Sequence, residues 1–534
     1  MDNIKRSLEN IFIFLCKPFT EYIRFFVTAF FMSAIVDFVG FTQFESFYKA
    51  IFIALHHYVI CYILTLIMYV LPKCMIKWYK YFVYLLLSIN FIIDIVCVYS
   101  FHFTFDQEIP AILIGTNSNE TIEFIETFIP VELIFIIVFS FIFFYILNRI
   151  LYTVKYEENR ILNIILLSLV VFSTFIFPLV SLKNFGNVSV TKISTFLRAT
   201  SPPDLSDYFV NPRLVNKKND KPKNVVMIIG ESFSKRHSSL YGYDKNTNPY
   251  LQQLVQDSLL YVFANITSPA TTTVPVFKSI MSTYKPEYGD TIKWYECLSI
   301  QEVLKKSGYK TYWISNQSQA GLYDNIIAKY ASLCDITSFS GNRFKGFRKT
   351  DLDEIVLDSI RKYDLEHDSN ELNFTFIHLM GSHHDFKKRY PSSFNKFTVD
   401  DYIDKLDSQK QTLSEYDNSV LYNDSIINEI VKIYEDEESI IIYFSDHSID
   451  LYDSRDDYVG HAMPNNEKSI KAGTEIPFVV YLSHKFQANF PEDCKRIRNV
   501  VNKSFRTDNM IYTIMDIIGT DFKNCSDVEK YSLF

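Results

Sequence analysis

The fold is decided by a short stretch near the middle of the chain, Val225-Val226-Met227-Ile228-Ile229-Gly230-Glu231-Ser232. Its first five residues are apolar without interruption, and a glycine and two polar residues follow. An unbroken apolar run that ends in a turn former is typical of a strand buried on both faces. Such strands occur in parallel sheets with helices on both sides, so the stretch predicts the start of an α/β domain.

Similar apolar runs recur further along the chain and alternate with helical patterns. The runs lie at residues 311–314, 374–379, 440–444 and 478–482, and the helical patterns lie at 298–307, 416–434 and 509–518. This alternation predicts an α/β sandwich with a mainly parallel sheet.

Polar side chains stand where three of these predicted strands end. Glu231 follows the first run, Asp446 and His447 follow the run at 440–444, and His378 and His383 lie at the end of the run that begins at residue 374. Loops at the carboxyl ends of parallel strands converge over one edge of the sheet. Carboxylate and imidazole together are typical zinc ligands, so we predict a zinc site there. The alternative is that these groups only cap helices and satisfy turns.

The first part of the chain has a different composition. Residues 1–183 hold 26 of the 114 charged side chains, although they make up about a third of the 534 residues. The length alone calls for at least two structural units. The net charge of −8 argues against a nucleic-acid partner, which would need a basic surface. We therefore expect a membrane domain at 1–183, a linker at 184–222 and a catalytic domain at 223–534.

Five segments are long and apolar enough to span a bilayer as helices, and they lie near residues 20–40, 50–71, 81–105, 129–148 and 161–182. Lysines and arginines cluster before the first, between the second and third, and between the fourth and fifth, and Lys49 alone departs from this alternation. Cationic loops stay cytoplasmic. An odd number of spans then places the catalytic domain outside the cytoplasm. The first span is expected to be an uncleaved anchor, because no cleavage site follows it.

Four cysteines fall in the exported half of the chain, and an even count in an oxidising compartment permits two disulfides. We favour Cys297 with Cys334 and Cys494 with Cys525 among the three possible pairings. The alternative is that all four are buried free thiols.

Several short motifs together resemble one family, the membrane-anchored phosphoethanolamine transferases of the alkaline phosphatase and sulfatase superfamily, which includes the mobile colistin-resistance enzymes. The resemblance spans nearly the whole chain. It rests on Gly230-Glu231-Ser232, Leu240-Tyr241-Gly242-Tyr243, Thr247-Asn248-Pro249, Trp313-Ile314-Ser315-Asn316-Gln317, His378 to His383, Tyr416-Asp417-Asn418, Ser445-Asp446-His447 and Gly460-His461.

The resemblance implies a zinc ion held by Glu231, Asp446, His447 and the oxygen of a nucleophilic threonine. The family places that threonine at the start of a helix, which here opens within Thr271-Thr272-Thr273. Alignment of the helix end selects Thr273, with Thr272 as second choice. Without the resemblance, this triplet would be interpreted as a helix N-cap.

Other site residues also follow from the resemblance. His383 and His461 would face the phosphoryl group or a second metal ion. Substrate binding would fall to Thr116, Glu120, His378 and Asn316, although His378 would serve equally as a support of the site. Thr116 and Glu120 keep the spacing of the residues with which the family holds the ethanolamine end of the donor lipid, where a carboxylate suits an ammonium group. The alternative for Glu120 is a solvated loop carboxylate.

The implied reaction transfers phosphoethanolamine from phosphatidylethanolamine to an envelope acceptor, on the periplasmic side of a bacterial inner membrane. The acceptor stays open among lipid A, lipopolysaccharide core and periplasmic glycan. The basic residue that the lipid A branch carries after the Asn316 position is missing here, and so are the cysteines that flank the nucleophile in that branch. Two other functions remain, a lipoteichoic-acid-synthase-like glycerol phosphate transferase and an inactive membrane-tethered sensor.

Overall fold

The structure is a computed structural model that describes residues 2–45, 47–100, 129–153, 160–181, 210, 212–218, 220–289, 291–317, 326–339, 352–366, 371–461, 466–523 and 527–534. The chain divides into two compact units, a helical one in its N-terminal part and an α/β one in its C-terminal part.

The first unit consists of long apolar helices. Their bounds are α1 Asp2–Thr20, α2 Ile23–Gly40, α3 Phe47–Val70, α4 Lys73–Ser100, α5 Val131–Thr153 and α6 Arg160–Ser181, with a π-helical turn Phe41–Glu45 after α2. Aromatic side chains fill the unit's core; for example, the Phe26 and Tyr58 rings from α2 and α3 meet edge to face at 5.1 Å. Sequence analysis predicted no element at α1, whose first half carries Lys5, Arg6 and Glu9.

Four helices in the described part of the chain are long and apolar enough to cross a membrane, namely Ile23–Gln43, Phe47–Val70, Lys73–Tyr99 and Val131–Leu151. They coincide with the first four predicted spans. The fifth predicted span falls on α6. Within the described residues, its apolar stretch Arg160–Thr174 is shorter than the other four. A helical membrane region is therefore established, and the fifth crossing stays a prediction.

The second unit is built on a seven-stranded sheet in the order β3-β11-β8-β2-β7-β5-β6. The strands of the unit are β1 Leu214–Asn216, β2 Asn224–Gly230, β3 Leu260–Val262, β4 Ile266–Thr267, β5 Lys310–Ser315, β6 Ile336–Phe339, β7 Asn373–His378, β8 Ser439–Ser445, β9 Asp450–Leu451, β10 Val459–Gly460, β11 Phe478–Leu482, β12 Phe505–Arg506 and β13 Thr520–Phe522. Within the large sheet β11 runs antiparallel to both its neighbours, and the other pairings are parallel. The predicted α/β sandwich with a mainly parallel sheet is confirmed.

Helices cover both faces of this sheet. They are α7 Pro249–Gln256, α8 Thr273–Ile280, α9 Ile300–Lys306, α10 Ile326–Ser332, α11 Ile355–Glu366, α12 Asp407–Tyr434, α13 Glu467–Thr474, α14 His484–Asn489, α15 Pro491–Asn499, α16 Met510–Ile517 and α17 Asp527–Tyr531. Successive residues of β2 enter opposite cores, with Met227 in one and Ile228 in the other. Every residue of β2 is buried, which is why its sequence is apolar without alternation.

Short 3₁₀ turns complete the unit at Lys235–His237, Ser239–Tyr241, Pro286–Tyr288, Trp294–Glu296, Phe386–Arg389, Ser392–Phe394, Val399–Asp401 and Thr507–Asn509. Strand β1 lies inside the stretch that we predicted as a linker, and it pairs antiparallel with β13.

The preferred disulfide between Cys297 and Cys334 is wrong, because both residues are free thiols, as is Cys494. The Cys297 thiol is directed at the Lys293 carbonyl, 3.6 Å away. The Cys334 thiol is buried, and burial raises its pKa to about 12. An even number of cysteines carries no information on distance, which is where the prediction failed. Cys525 lies outside the described residues.

Candidate metal centre

The register of β2 and β8 brings the predicted ligands together. These strands are parallel neighbours, and Gly230 stands opposite Ser445 at their carboxyl ends. The next residue of one strand is Glu231 and that of the other is Asp446, so both carboxylates leave the sheet at the same edge. The ligand atoms of Glu231, Asp446 and His447 lie within 4.8 Å of one another.

His447 is oriented for a cation by a backbone contact. Its Nδ1 lies 2.9 Å from the Ser448 carbonyl oxygen, which can only accept, so Nδ1 carries the proton. Nε2 then presents its lone pair to the centre, 3.2 Å from Glu231 Oε1 and 3.4 Å from Asp446 Oδ2. This arrangement of a ring nitrogen fixed by a carbonyl is common among metal-binding histidines.

Thr273 is the first residue of α8 and completes the centre. Its Oγ1 lies 3.3 Å from Glu231 Oε2 and 3.3 Å from His447 Nε2. Thr272 is the N-cap of that helix, in an extended conformation, and no side-chain capping bond is made there. Of the three adjacent threonines, Thr273 is therefore the one whose hydroxyl contacts two members of the cluster.

The electrostatics of the centre call for a cation. Burial raises the pKa of Asp446, repulsion from Glu231 adds to this, and the result is about 8. Burial would lower the pKa of His447, but attraction to Asp446 and Glu231 outweighs it and raises the value to about 9. Burial opposes ionisation of Glu231 as well, yet attraction to His447 holds its pKa well below the ordinary range. The protein groups alone thus retain protons that a metal ion would displace.

The donor set fits a divalent metal ion. Within the described residues, Asp446 Oδ2 is buried and accepts no hydrogen bond, while Oδ1 accepts the His447 backbone N–H at 2.6 Å. Two buried carboxylates are costly without compensating positive charge. Glu231, Asp446, His447 and the Thr273 hydroxyl provide four O and N donors, which matches the coordination number and ligand types of zinc.

Two further predicted histidines border this centre. The His461 ring lies against the His447 ring, with centroids 4.2 Å apart and a tilt of 31°. The His461 Nδ1 lies 2.9 Å from the Thr271 carbonyl oxygen. His383 follows Ser382, whose backbone N–H donates to the Glu231 carbonyl at 3.0 Å. Burial lowers the pKa of His383 to about 4 and that of His461 well below its usual value, so both rings are neutral at pH 7.

The remaining predicted substrate residues lie in different places. His378 is fully buried at the end of β7, where its ring packs on Phe277 and burial lowers its pKa to about 4. Asn316 is buried too, and its amide nitrogen donates to Asp353 Oδ1 at 2.9 Å. Thr116 and Glu120 lie outside the described residues. His384, the residue after His383, accepts the Asp385 backbone N–H with its Nδ1 at 2.7 Å.

Sequence analysis did not single out two buried charged residues beside the centre, Asp353 and Arg389, which are each 4% exposed. Both bond to the backbone of the loop that carries His383. Their partners are distant in sequence or are main-chain atoms, so no motif or spacing marks them.

Comparison with known proteins adds a family and several relatives. The family model described as Sulfatase matches residues 223–520. The phosphoethanolamine transferase EptC of Escherichia coli is 26% identical over 320 residues, which cover 58% of this chain and 54% of that protein. The chain thus spans about half the length of the curated relatives it matches.

Two solved structures are similar as well. The periplasmic domain of E. coli EptC, solved as a zinc complex, is 25% identical and covers 59% of this chain and 87% of its own, with a TM-score of 0.54. The integral membrane protein EptA of Neisseria meningitidis, a lipooligosaccharide phosphoethanolamine transferase, covers 96% of this chain and 97% of its own. Its TM-score is 0.66 at 18% identity, so it shows that the fold is shared over both units.

Proposed function

Because the chain belongs to the sulfatase family, with relatives that are phosphoethanolamine transferases, we propose that it transfers phosphoethanolamine from phosphatidylethanolamine to an acceptor in the bacterial envelope. The observation that carries the proposal is the position of the Thr273 hydroxyl, 3.3 Å from both Glu231 Oε2 and His447 Nε2 at the start of α8. A threonine hydroxyl needs such surroundings to act as a nucleophile on phosphorus.

The proposed cofactor is zinc, held by Glu231, Asp446, His447 and Thr273. The E. coli relative whose periplasmic domain was solved as a zinc complex supports the choice of metal. Bound zinc would lower the pKa of the threonine hydroxyl and polarise the phosphoryl oxygens. Whether a second ion binds near His383 and His461 is part of the same proposal.

In the first half-reaction, the Thr273 oxygen attacks the phosphorus of the donor lipid. The bond from phosphorus to Thr273 Oγ1 forms, the bond from phosphorus to the diacylglycerol oxygen breaks, and diacylglycerol leaves after taking up a proton. The hydroxyl proton of Thr273 passes to Glu231 Oε2, which lies 3.3 Å away. His447 Nε2 would not take it, because its lone pair would be bound to zinc. The backbone N–H groups of Thr273 and Val274 at the start of α8 would favour the anionic phosphoryl oxygens, and Pro275 has no N–H to contribute.

In the second half-reaction, an acceptor hydroxyl attacks the same phosphorus and Thr273 leaves. The acceptor must lose a proton, and we assign this proton transfer to His461. Its Nδ1–H donates to the Thr271 carbonyl, which leaves Nε2 as the basic atom of a neutral ring. His383, also neutral, would donate a hydrogen bond to a phosphoryl oxygen.

The proposed setting is the inner membrane, with the catalytic unit in the periplasm. The four apolar helices and the alternation of cationic loops support a multi-pass protein with this orientation. Thr116 and Glu120, in the loop predicted to lie outside, are proposed to bind the ethanolamine group, since a carboxylate complements an ammonium ion. The acceptor would be lipid A, lipopolysaccharide core or a periplasmic glycan.

The test is the covalent intermediate. Purified full-length protein is incubated with phosphatidylethanolamine but no acceptor, and its peptides are weighed by mass spectrometry. We expect one peptide to gain the mass of phosphoethanolamine, and Thr273→Ala to abolish both this increment and turnover, because the covalent route itself is lost.

Thr271→Ala is the matched control, because the contact of Thr271 with His461 uses its backbone carbonyl and survives the change. An increment that persists in Thr273→Ala and vanishes in Thr272→Ala would move the nucleophile by one residue. Glycerol phosphate gained from phosphatidylglycerol would favour the glycerol phosphate transferase. No increment with either lipid would contradict the proposed function. Mass spectrometry of envelope lipids and glycans, with and without the gene, would identify the acceptor.

A further inference from the structure

The chain from Leu379 to Arg389, here called the histidine loop, carries His383 past the metal centre. It runs directly against the backbone of Glu231, because the Ser382 N–H donates to the Glu231 carbonyl at 3.0 Å. Gly381 makes the closest approach. A Cβ atom at this position would stand 2.8 Å from both the backbone nitrogen and oxygen of Glu231. The position of this loop therefore decides where His383 lies relative to the ligand Glu231.

Asp353 holds the first part of the histidine loop. This residue stands just before α11, and its Oδ1 and Oδ2 accept the backbone N–H groups of Met380 and Gly381, each at 2.8 Å. Oδ1 also accepts the Asn316 amide at 2.9 Å. One buried carboxylate thus fixes two consecutive peptide groups of the histidine loop and the loop that follows β5. Side chains that satisfy adjacent amides in this way leave little freedom to the backbone between them.

Arg389, the last residue of the histidine loop, bonds back to the middle of the loop. Its Nε donates to the His383 carbonyl at 3.2 Å, and its Nη2 donates to the His384 carbonyl at 2.9 Å. The planar guanidinium matches two successive carbonyls as a fork. The two buried residues have opposite charge. Together they bond to the loop at Met380 and Gly381 before Ser382 and at His383 and His384 after it.

We propose that Asp353 and Arg389 are positioning residues for the transfer reaction, which hold His383 at the metal centre by fixing the histidine loop. This inference rests on the proposed function, since it assigns the two residues an effect on the catalytic step exerted through His383. Neither side chain needs to contact substrate or metal. Substitution of such outer residues commonly lowers activity about 10-fold to 100-fold.

A matched control exists in the same domain. Asp424 of α12 is also buried, and it accepts two backbone N–H groups and one asparagine amide, from Tyr250, Leu251 and Asn248. Its partners lie at the start of α7 and not in the histidine loop. Asp353→Asn and Asp424→Asn therefore remove the same kind of carboxylate with the same kind of partners, and they differ in the segment that each one holds.

The experiment measures kcat, KM for phosphatidylethanolamine, zinc content and thermal unfolding on the full-length protein in lipid nanodiscs. We expect Asp353→Asn to lower kcat about 10-fold to 100-fold with KM and zinc content near wild type. Asp424→Asn should lower the unfolding temperature similarly and change kcat less than about twofold. Arg389→Lys should keep part of the activity that Arg389→Met loses, because one of the two donors is restored.

A double-mutant cycle separates positioning from a general structural role. In a His383→Ala background the Asp353→Asn change should cost little further activity, because the residue through which it acts is gone. An undiminished cost in that background, or a wild-type kcat in Asp353→Asn, would overturn the proposal. If Asp353→Asn does not fold, the same cycle is run with Asp353→Glu.

Hydrogen exchange provides a readout that does not depend on the reaction. In Asp353→Asn the peptide that contains Met380 and Gly381 should exchange faster, while in Asp424→Asn the faster exchange should fall on residues 248–251. Faster exchange across the whole domain in Asp353→Asn would contradict a local role of Asp353 in fixing the histidine loop. If the wild-type protein transfers no phosphoethanolamine but the two variants show these local changes in exchange, the proposed function is rejected. The role of Asp353 in fixing the histidine loop is then retained.

Discussion

Each unit of the molecule contains a buried contact between acid and histidine, and the two differ in the number of carboxylates. In the membrane unit, Asp37 of α2 meets His57 of α3 with Oδ2 and Nε2 2.9 Å apart, and both side chains are at most 1% exposed. In the α/β unit, His447 Nε2 meets two carboxylates, Glu231 and Asp446, within 3.4 Å. The same residue types thus form a pair at Asp37 and a trio at His447, while the α/β unit also contains a second acid–histidine pair, Asp417 with His237.

The difference determines what each cluster can bind. One acid and one base that share a single proton carry no net charge, so the membrane pair adds no net charge in a medium where unpaired charge is expensive. Two acids and one base that share one proton carry a negative charge. The raised pKa values of Asp446, about 8, and of His447, about 9, show the response of the trio when protons alone must supply that charge. Only the trio has a reason to bind a metal ion.

The largest expected effect comes from the removal of one carboxylate of the trio. Asp446→Asn should leave a folded protein that loses its zinc on dialysis and its turnover with it, because a ligand is removed along with the negative charge. Asp37→Asn is the matched change in the membrane unit and should keep the zinc content of wild type. Metal analysis of both dialysed variants provides the measurement. Wild-type zinc content in Asp446→Asn would show that the trio is not the metal centre.

The second largest effect is expected from the loss of the histidine of the membrane pair. His57→Phe should destabilise the membrane unit by about 3–5 kcal/mol, because it leaves the Asp37 carboxylate buried without its imidazole partner. The double change Asp37→Leu with His57→Phe should recover most of that loss, since a buried pair replaced by apolar groups is often nearly neutral. Thermal unfolding in bicelles checks both variants. Asp37→Leu alone is measured as well. If the double variant loses the sum of what Asp37→Leu and His57→Phe lose separately, the two residues do not act as a pair.

The sequence predicts the α/β fold well, because strands buried on both faces must be apolar throughout. The runs that begin at Val225 and Ile440 were recognisable for this reason and became β2 and β8. The direction of β11 was not predictable, since an apolar run looks the same in either direction. The short strands β3 and β6 were missed because three or four residues carry too little pattern.

The candidate site was predictable where sequence position fixes spatial position. Glu231 and Asp446 each follow a buried parallel strand directly, so their meeting at one sheet edge follows from topology. Selection of Thr273 among three threonines needed the family resemblance, because helix starts favour threonine without any chemistry. Asp353 and Arg389 reach the centre through tertiary contacts with backbone groups, and backbone groups leave no trace in side-chain patterns.

The smallest effect is expected from a shift of Glu231 that leaves the charge of the trio unchanged. Gly381 has φ +51°, and Gly242 has φ +92° with open space where a Cβ would lie. Alanine at either position carries about 1–3 kcal/mol of backbone strain, seen as a lower unfolding temperature. Only at Gly381 would the added methyl group press on the Glu231 backbone, at 2.8 Å, and shift that ligand relative to Asp446 and His447.

Gly381→Ala should therefore weaken zinc binding in competition with a chelator, while Gly242→Ala, matched in strain, should bind zinc as wild type does. Metal affinity depends on the distances among the donor atoms as well as on their charge, and these donors come from different strands of one sheet. If both variants retain zinc equally, the charge of the trio dominates its affinity and the exact placement of Glu231 matters little. If Gly381→Ala alone loses affinity, the close packing of the histidine loop on Glu231 is part of what makes the trio a metal site.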